Sequence, residues 1–545
     1  NSAPCSASML IERERVHRMV DILFGKMGAY SVGAVAFVVL VTALDRVQAF
    51  ASFPDYYRRH VHKAASYHGN SSPRPKYDSA TSIHSTKPKP IDPSGWPEKF
   101  PAKEDCSKCG LCETTFVSHV TDACAFLGDG MARNIDGLEA TVHGRRRNTQ
   151  DLVWSDIYRT DSGIAEEGRF GVMTRPMQLG KGKNVEGAQW TGVVTGIAVS
   201  MLESGMVDAV VCIASDDDDG NDNNWSNPQP ILARTVDDVL RGRGVKPALA
   251  PSLAVLDELK DSKDIKKLLF CGVGCAVQAF RAIQHELQLD EVYVLGTNCA
   301  DNSPTPEAAK KFLSRSFKDK LDGKRVRGYE FMQDFKVHVK YDDGTDQSQP
   351  SYERLPYFSL QGDVAEFAIA KSCLACFDYT NALADVVVGY MGAPLDSSMD
   401  TSFQTITVRN KMGERMLKCA VESDRLQLGP DASGSGSHEK FASTTVSSDN
   451  IVQKMAGGEM KSEGMPRLLG DLMATLMTAA GPKGVSFARY SLDYHILRNY
   501  LHVLDVWGDS GANNMIPAYS LEIVKKYLDT DESFRALAEK IKSKR

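Results

Sequence analysis

From about Val185 onward, continuous apolar runs alternate with amphipathic stretches. Four runs, "VDAVVCIAS", "KKLLFCGVG", "DEVYVLGTN" and "ADVVVGYMG", each end in Gly, Ser or a small polar residue. Their length and their flanks predict buried strands. Between them, "TGVVTGIAVSMLESGM", "AVQAFRAIQHELQ" and "PEAAKKFLSRSF" return apolar side chains every three or four positions, the helical period. Strand and helix in alternation predict an α/β fold with a partly parallel sheet and flanking helices. Tyr329 to Tyr357 departs from this rhythm: it opens "YEFMQDFKVHVKYDDG" and predicts hairpin-like antiparallel strands.

Both ends of the chain differ from this middle. Residues 422–463 are dominated by Ser, Gly and scattered charge with no apolar period, which predicts a flexible linker. "LLGDLMATLMTAA" then sets Leu468, Leu469, Leu472, Met473, Leu476 and Met477 on one helical face, predicting a helix packed on the body within a C-terminal helical segment, 464–545. At the other end, "YSVGAVAFVVLVTAL" (Tyr30 to Leu44) falls short of the roughly 20 residues a membrane span needs. It matches a signal-peptide core ending near Ala49, so residues 1–49 read as signal-peptide-like. Phe50 to Lys89 carries seven Lys/Arg against two Asp/Glu and is rich in Ser and His, a transit composition. Pro-rich sequence from Pro88 to Pro101 completes a transit and linker region over 50–100. A signal peptide followed by a transit peptide is the bipartite address of a complex plastid; a membrane anchor with a linker is the alternative.

Composition is that of a soluble globular protein: 42% hydrophobic, 25% charged, net charge −6. Without residues 1–89 the net charge is −12, which argues against nucleic-acid binding. An acidic partner would need a local basic patch, and Arg145, Arg146 and Arg147 in "HGRRRN" provide the candidate.

Cysteine carries the chemistry. "DCSKCGLCETTFVSHVTDAC" holds Cys106, Cys109, Cys112 and Cys124. A chain of 545 residues needs no disulfide staples. C-x2-C-x2-C presents three thiolates from one tight loop, as a 4Fe–4S cubane requires, with Cys124 in reach as the fourth ligand. Zinc, or inert thiols, are the alternatives. A second set sits at strand ends: Cys275 in "FCGVGC", Cys299 in "GTNC", and Cys373 and Cys376 in "SCLAC". Strand ends on one edge of an α/β sheet converge, so these four can meet around a second 4Fe–4S cluster, with Cys271 as the alternative to Cys275. Cys212 and Cys419 read as core. The chain thus divides into an N-terminal iron–sulfur region, 101–180, and an α/β domain for flavin and second cluster, 181–421.

Nucleotide motifs are weak. Gly272-Val273-Gly274 lacks the third glycine of a dinucleotide fingerprint, and there is no Walker A loop. The acidic run 216–219 reads as a solvated loop before it reads as a cation site. "VEGAQWTGVVTGIA" passes from a polar loop into a helix, and amides at a helix start suit a diphosphate. Glu186, Gln189, Trp190, Thr191, Gly192 and Thr195 are the candidate flavin-binding residues. Flavin accepts electrons singly and gives them as hydride, so it joins iron–sulfur relays to two-electron chemistry.

Taken together, "CSKCGLC…ACAFLGDGM", "VEGAQWTG", "FCGVGCAVQA", "VLGTNCADN", "YEFMQDF", "SCLACFDYTNALAD", "VGYMGAP" and "GPKG…FARYSLDYH…RNYL" resemble the family of 7-hydroxymethyl chlorophyll a reductase and ferredoxin-type 3,8-divinyl chlorophyllide 8-vinyl reductase, relatives of deazaflavin-reducing hydrogenase beta subunits. The resemblance implies FAD, two 4Fe–4S clusters, reduced ferredoxin as donor and a chlorophyll-type tetrapyrrole as substrate. A C7 hydroxymethyl would become methyl, or an 8-vinyl ethyl; the motifs stand nearer the first. It leaves room for a homo-oligomer. Asp378, Tyr379, Asp493, Tyr494 and His495 are polar groups near matched motifs, each also able to serve as a structural hydrogen-bonding group. An electron-transfer adaptor in a larger complex and a pigment-binding protein are the readings of other classes.

Overall fold

The computed structural model describes residues 105–149, 166–183, 185, 188, 190–216, 224–321, 325–342, 351–395, 398–458 and 463–544. The leader, transit and linker expectations over 1–100 lie outside the described residues, as do Glu186, Gln189 and Asp217 to Asp219. Strands β1 (Gln178–Gly182), β2 (Ala209–Asp216), β3 (Asn224–Ala233), β4 (Lys267–Gly272) and β5 (Glu291–Thr297) precede a separate meander of β6 (Arg325–Phe331), β7 (Lys336–Asp342) and β8 (Ser351–Pro356). β9 (Val386–Gly389), β10 (Gln404–Val408) and β11 (Leu426–Asp431) return to the main sheet, whose order is β11-β1-β10-β9-β5-β4-β2-β3. The pairs β2–β4, β4–β5 and β5–β9 are parallel, and these are the four apolar runs of the sequence. The flanking pairs are antiparallel.

Helices α1 (Gly130–His143), α2 (Val193–Glu203), α3 (Gly274–Ile283), α4 (Pro306–Phe317) and α5 (Lys411–Glu422) cover the sheets. Period two decides which side chain meets which helix. Leu268, Phe270, Ala209, Val211 and Val294 point to the α3 face, where Phe270 stacks on Phe280 at 4.1 Å. Leu269, Cys271, Val210, Cys212, Tyr293 and Leu295 point to the opposite face, against α2 and α5. Both faces are buried, which is why the strands read as unbroken apolar runs. Thr305 caps α4, its side chain accepting from the Ala308 amide, and Asn410 caps α5 through the Gly413 amide. The meander buries Tyr329, Val337, Val339 and Leu355 against Phe312 of α4.

The C-terminal part is helical: α6 (Glu439–Ser448), α7 (Asn450–Met455), α8 (Arg467–Ala480), α9 (Val485–Met515), α10 (Ala518–Thr530) and α11 (Glu532–Lys542). α9 is kinked at Gly508, where φ is 68°. The flexible linker expected over 422–463 is here a correction. That stretch ends α5, pairs β11 with β1, and forms α6 and α7 against α9. Ala442, Val446 and Val452 are fully buried, and Ser443 is buried beside them. Small side chains let these helices approach α9 closely, so the stretch lacks the large apolar period that marks a helix. Asp449 caps α7 by accepting from the Ile451 and Val452 amides. α8 buries Met473 and Ala474, but Leu468 is 83% and Leu476 41% exposed, so the expected apolar face is packed on one side only. Among the described residues no helix is long and apolar enough to cross a membrane.

Candidate redox site

The first thiol set stands on a loop tied to the 253–257 region. The Leu253 amide donates to Cys109 O at 2.7 Å, and Thr115 donates to Asp257 from both its amide (3.0 Å) and its hydroxyl (2.6 Å). Cys124 follows a short helical turn. A Cβ on Gly130, the first residue of α1, would stand 2.0 Å from Cys124 O, so only glycine lets α1 start there. The four thiols lie within one another's fields. Burial pushes Cys109 up to about 12, and Cys124, Cys106 and Cys112 add to it. Cys112 and Cys124 are raised by burial first, then by neighbours that include Cys106. The Lys108 amide donates to Cys106 Sγ at 3.2 Å.

The second set forms at the C-terminal ends of β4 and β5. Cys275 lies in the first turn of α3, Cys299 just past β5, and Cys373 and Cys376 on a turn before β9. The Cys275 thiol is raised by burial, then by Cys373 and by Cys109 of the first set. Cys299 and Cys376 are raised by burial and then by members of their own set, and Cys373 is pushed up to about 12 by burial and Asp301. Cys271 does not join them. It shares the opposite sheet face with Cys212, its nearest thiol. The two sets adjoin each other, since the Ser107 side chain also bonds Cys275. Asn302 Nδ2 donates to Cys299 Sγ at 3.2 Å. Asn499 on α9 donates from Nδ2 to both Cys373 O (2.9 Å) and Cys376 O (2.6 Å). Arg498 holds Asp301 through two contacts of 2.9 Å.

Among the described residues no three His, Cys, Asp or Glu side chains close on a single ion. A cubane is several ångströms across and is gripped at its corners, so its thiolates stand wider apart than ligands of one ion. Two sets of four thiols fit two such clusters, the second set enclosed and the first with Cys106 and Cys112 toward solvent. Charge on them needs a metal, because burial alone keeps every one of these shifted thiols protonated.

Of the flavin candidates, Trp190, Thr191, Gly192 and Thr195 are described. Gly192 takes φ 76° at the N-terminus of α2. Thr191 Oγ1 accepts from the Gly182 amide at 3.0 Å, and Thr195 is half-buried on the first turn. Trp190 is buried, stacks on Tyr390 at 4.9 Å, and donates from Nε1 to Glu330 Oε2 at 2.6 Å. The side chains of Trp190 and Thr191 are therefore engaged within the chain. The helix start, with its first-turn amides, is what the loop offers an anion.

Two features were not read from the sequence. One is a wall of rings running from the meander to the second thiol set. Phe331 lies 5.4 Å from Tyr357, Tyr490 6.3 Å from Tyr494, Tyr494 4.9 Å from His495, and His495 stacks on Tyr379 at 5.3 Å. Tyr390 feels both Glu330 and Cys299, which places it between the tryptophan loop and the thiols. The other is a polar group of Glu330, Lys340, Tyr352 and Asp400 under Trp190. Only an alternating-face reading of the meander could have found it.

The remaining polar candidates divide. Asp378 is buried and accepts from the Ala382 amide (2.7 Å) and Gln278 (2.8 Å). Asp493 accepts from Arg169 Nε (2.7 Å) and Tyr527 (2.8 Å), while Glu166 accepts from Arg489 (2.8 Å). These hold the fold. Tyr494 donates to Asp449, Tyr379 lies 3.3 Å from Ser491 Oγ, and His495 Nδ1 lies 2.6 Å from Ser491 O. The basic patch also breaks up. Arg147 is buried, pairs with Glu139 at 2.8 Å and lies over the Tyr519 ring. Arg145 donates to Glu167 at 2.7 Å. Arg146 is exposed, Arg145 is exposed but tied to Glu167, and Arg147 faces inward, so the three arginines do not make one docking surface.

Residues 178–257 and 265–433 match the N-terminal and C-terminal domains of the coenzyme F420 hydrogenase/dehydrogenase beta subunit. A chloroplastic 7-hydroxymethyl chlorophyll a reductase of Oryza sativa subsp. japonica is 46% identical over 441 residues, 81% of this chain and 85% of the relative. An uncharacterized protein of Nostoc sp. is 37% identical over 78% of this chain and 94% of its own length. The coenzyme F420 hydrogenase beta subunit of Methanosarcina barkeri is 24% identical over 45% of this chain and 76% of its own length. With this extent of identity over four-fifths of its length, the chain belongs to the 7-hydroxymethyl chlorophyll a reductase family, within the F420 hydrogenase/dehydrogenase beta-subunit group.

Proposed function

We propose that the chain is a plastid oxidoreductase that reduces a chlorophyll ring substituent with electrons from reduced ferredoxin. A C7 hydroxymethyl becomes methyl: two electrons and two protons enter, and water leaves. Cys106, Cys109, Cys112 and Cys124 would hold one 4Fe–4S cluster, and Cys275, Cys299, Cys373 and Cys376 the other. The loop from Glu186 to Thr195 would hold FAD. When bound, these groups supply a one-electron relay and a hydride. The chain's own part is to desolvate them and to fix them. Donation from the Lys108 amide and Asn302 to sulfur favours the thiolate form. Asn499 fixes the carbonyls of the Cys373–Cys376 turn, and the ring wall offers a flat apolar face of the kind a tetrapyrrole stacks on.

The observation that carries this reading is the adjacency of two four-thiol sets, the second of which meets the ring wall. The likeness to the rice reductase supports the substrate, and its chloroplastic address supports a plastid. Protein prepared anaerobically is expected to be brown, to bind FAD and to carry about eight irons per chain. With reduced ferredoxin it should convert 7-hydroxymethyl chlorophyll a. Preference for divinyl chlorophyllide in the same assay would move the reading to 8-vinyl reduction. Folded, colourless protein without iron or flavin would end both.

A further inference from the structure

The polar group under Trp190 has an unequal charge balance. Glu330 lies on the face of β6 that looks away from the Tyr329–Val337–Val339 core. Its cross-strand neighbour on that face is His338, which is engaged with Asp334 at 2.8 Å. Beyond it, Lys340 Nζ donates to Asp400 Oδ1 (2.8 Å) and to Ala188 O (2.9 Å). Tyr352 of β8 donates to the other oxygen of Asp400. Tyr390, from the end of β9, adds a neutral hydroxyl that donates to Phe331 O. Arg354 of β8 stands opposite His338 on the same face but is exposed to solvent. The enclosed part of the group therefore holds the carboxyls of Glu330 and Asp400 and one ammonium, Lys340, which is bonded to Asp400. Glu330 receives only the Trp190 N–H, on Oε2. Its Oε1 bonds to no described residue.

A second carboxylate in so enclosed a place would lack a countercharge, and such a group keeps its proton instead. Burial accordingly lifts Glu330 to about 8, with Trp190 and Lys340 opposing the rise. Burial therefore favours the neutral acid near pH 7, and Oε1 is the oxygen left for the proton because Oε2 accepts from Trp190. Glu330 is held by the tryptophan of the loop on which the flavin residues fall, and beside Tyr390, which leads to the second thiol set. An acid tuned to the working pH is what a proton-donating step needs.

We propose that Glu330 is the proton donor of the reduction, a role that rests on the functional reading above. As the C–O bond of the hydroxymethyl group breaks, the Oε1 proton goes to the departing oxygen, which leaves as water. The carbon receives hydride from a two-electron donor of the reduced-flavin class, and the Glu330 carboxylate regains a proton from solvent.

The test uses the holoenzyme and the variants Glu330→Gln and Glu330→Asp. Infrared difference spectra taken on either side of pH 8 should show a protonated-carboxyl band that Glu330→Gln lacks. Ferredoxin-driven pigment turnover should fall as pH rises through about 8 in the wild type. In Glu330→Gln it should drop about 100-fold or more and lose that limb, with Glu330→Asp restoring part of the rate. Reduction of an artificial dye by ferredoxin should stay within about two-fold of wild type in both. Wild-type turnover and an unchanged pH limb in Glu330→Gln would overturn the proposal. Equal loss of dye reduction and pigment turnover would also overturn it, since that marks a structural role. A wild type that turns over neither pigment would refute the functional reading instead, whatever the infrared band shows.

Discussion

Replacing Asn499 by leucine asks how much one side chain contributes to the second thiol set. The two residues are close in volume, so little cavity arises. What is lost is donation from Nδ2 to Cys373 O and Cys376 O, together with the Oδ1 acceptor that Arg498 Nε uses at 3.0 Å. Asn499 is 2% exposed, so water cannot easily replace it. Cys373 O keeps the Cys376 amide, so Cys376 O is the acceptor left without its donor, at a cost of about 1–3 kcal/mol before relaxation. Freed Arg498 would also loosen Asp301, beside Cys299. The variant should therefore unfold at lower denaturant with an unchanged slope, and should bind less iron than wild type. Asn499→Gln, with the same amide on a longer stem, should recover only part of the stability. A leucine variant with wild-type midpoint and wild-type iron would refute the claim that Asn499 fixes this turn.

Other outcomes follow from the same geometry. Cys275→Ala should lower iron content by about half, one of two clusters, whereas Cys271→Ala should leave it unchanged and cost no more than about 1 kcal/mol, read as iron per chain and denaturant midpoint. Arg147→Ala leaves Glu139 buried and unpaired, so it should cost about 3–5 kcal/mol by denaturant unfolding, while Arg146→Ala should fold normally and alter only the salt dependence of ferredoxin-driven rates. Gly130→Ala must displace Cys124 and should reduce iron uptake into the first set, measured against Gly137→Ala, whose added methyl meets open space. Glu330 is raised from 4.5 to about 8, so between these values the folded chain binds a proton that the unfolded chain has released. Stability should then fall as pH rises across that window, by at most about 5 kcal/mol from this group, and the Glu330→Gln profile should be flatter there.

The parallel core was legible because both its faces are buried, and unbroken apolar runs have few other homes. α4 could be read to its ends, from Thr305 and Pro306 to Phe317. The antiparallel half was not. β1 reads "QLGKG" and β11 "LQLGPD", short strands with glycine whose pairing is set by distant partners. α6 was hidden because serine, alanine and threonine pack closely without leaving an apolar stripe, and α7 because six residues are too few to show a period. Spacing and strand ends picked out thiols that the fold gathers in two places. Cys271 is two residues from Leu269 and shares its sheet face, away from Cys275. Arg147 misled because a run of three arginines looks solvated, and only its neighbours Glu139 and Tyr519 reveal it as core. Glu330 had no signal beyond the alternating faces of the meander, because its state depends on Lys340 being bonded to the distant Asp400.

α9 links parts of the molecule that lie far apart in sequence. Its Arg489 meets Glu166, its Asp493 meets Arg169 and Tyr527, and its Asn499 meets the Cys373–Cys376 turn. From Asp493 to Asn499 is about 9 Å along one rigid rod. The turn cannot swing outward unless that rod shifts, and the rod cannot shift without parting fully buried ion pairs. Amide protons of Cys373 to Cys376 should therefore exchange with solvent only when the whole C-terminal helical assembly opens, at a rate set by cooperative unfolding rather than by local breathing.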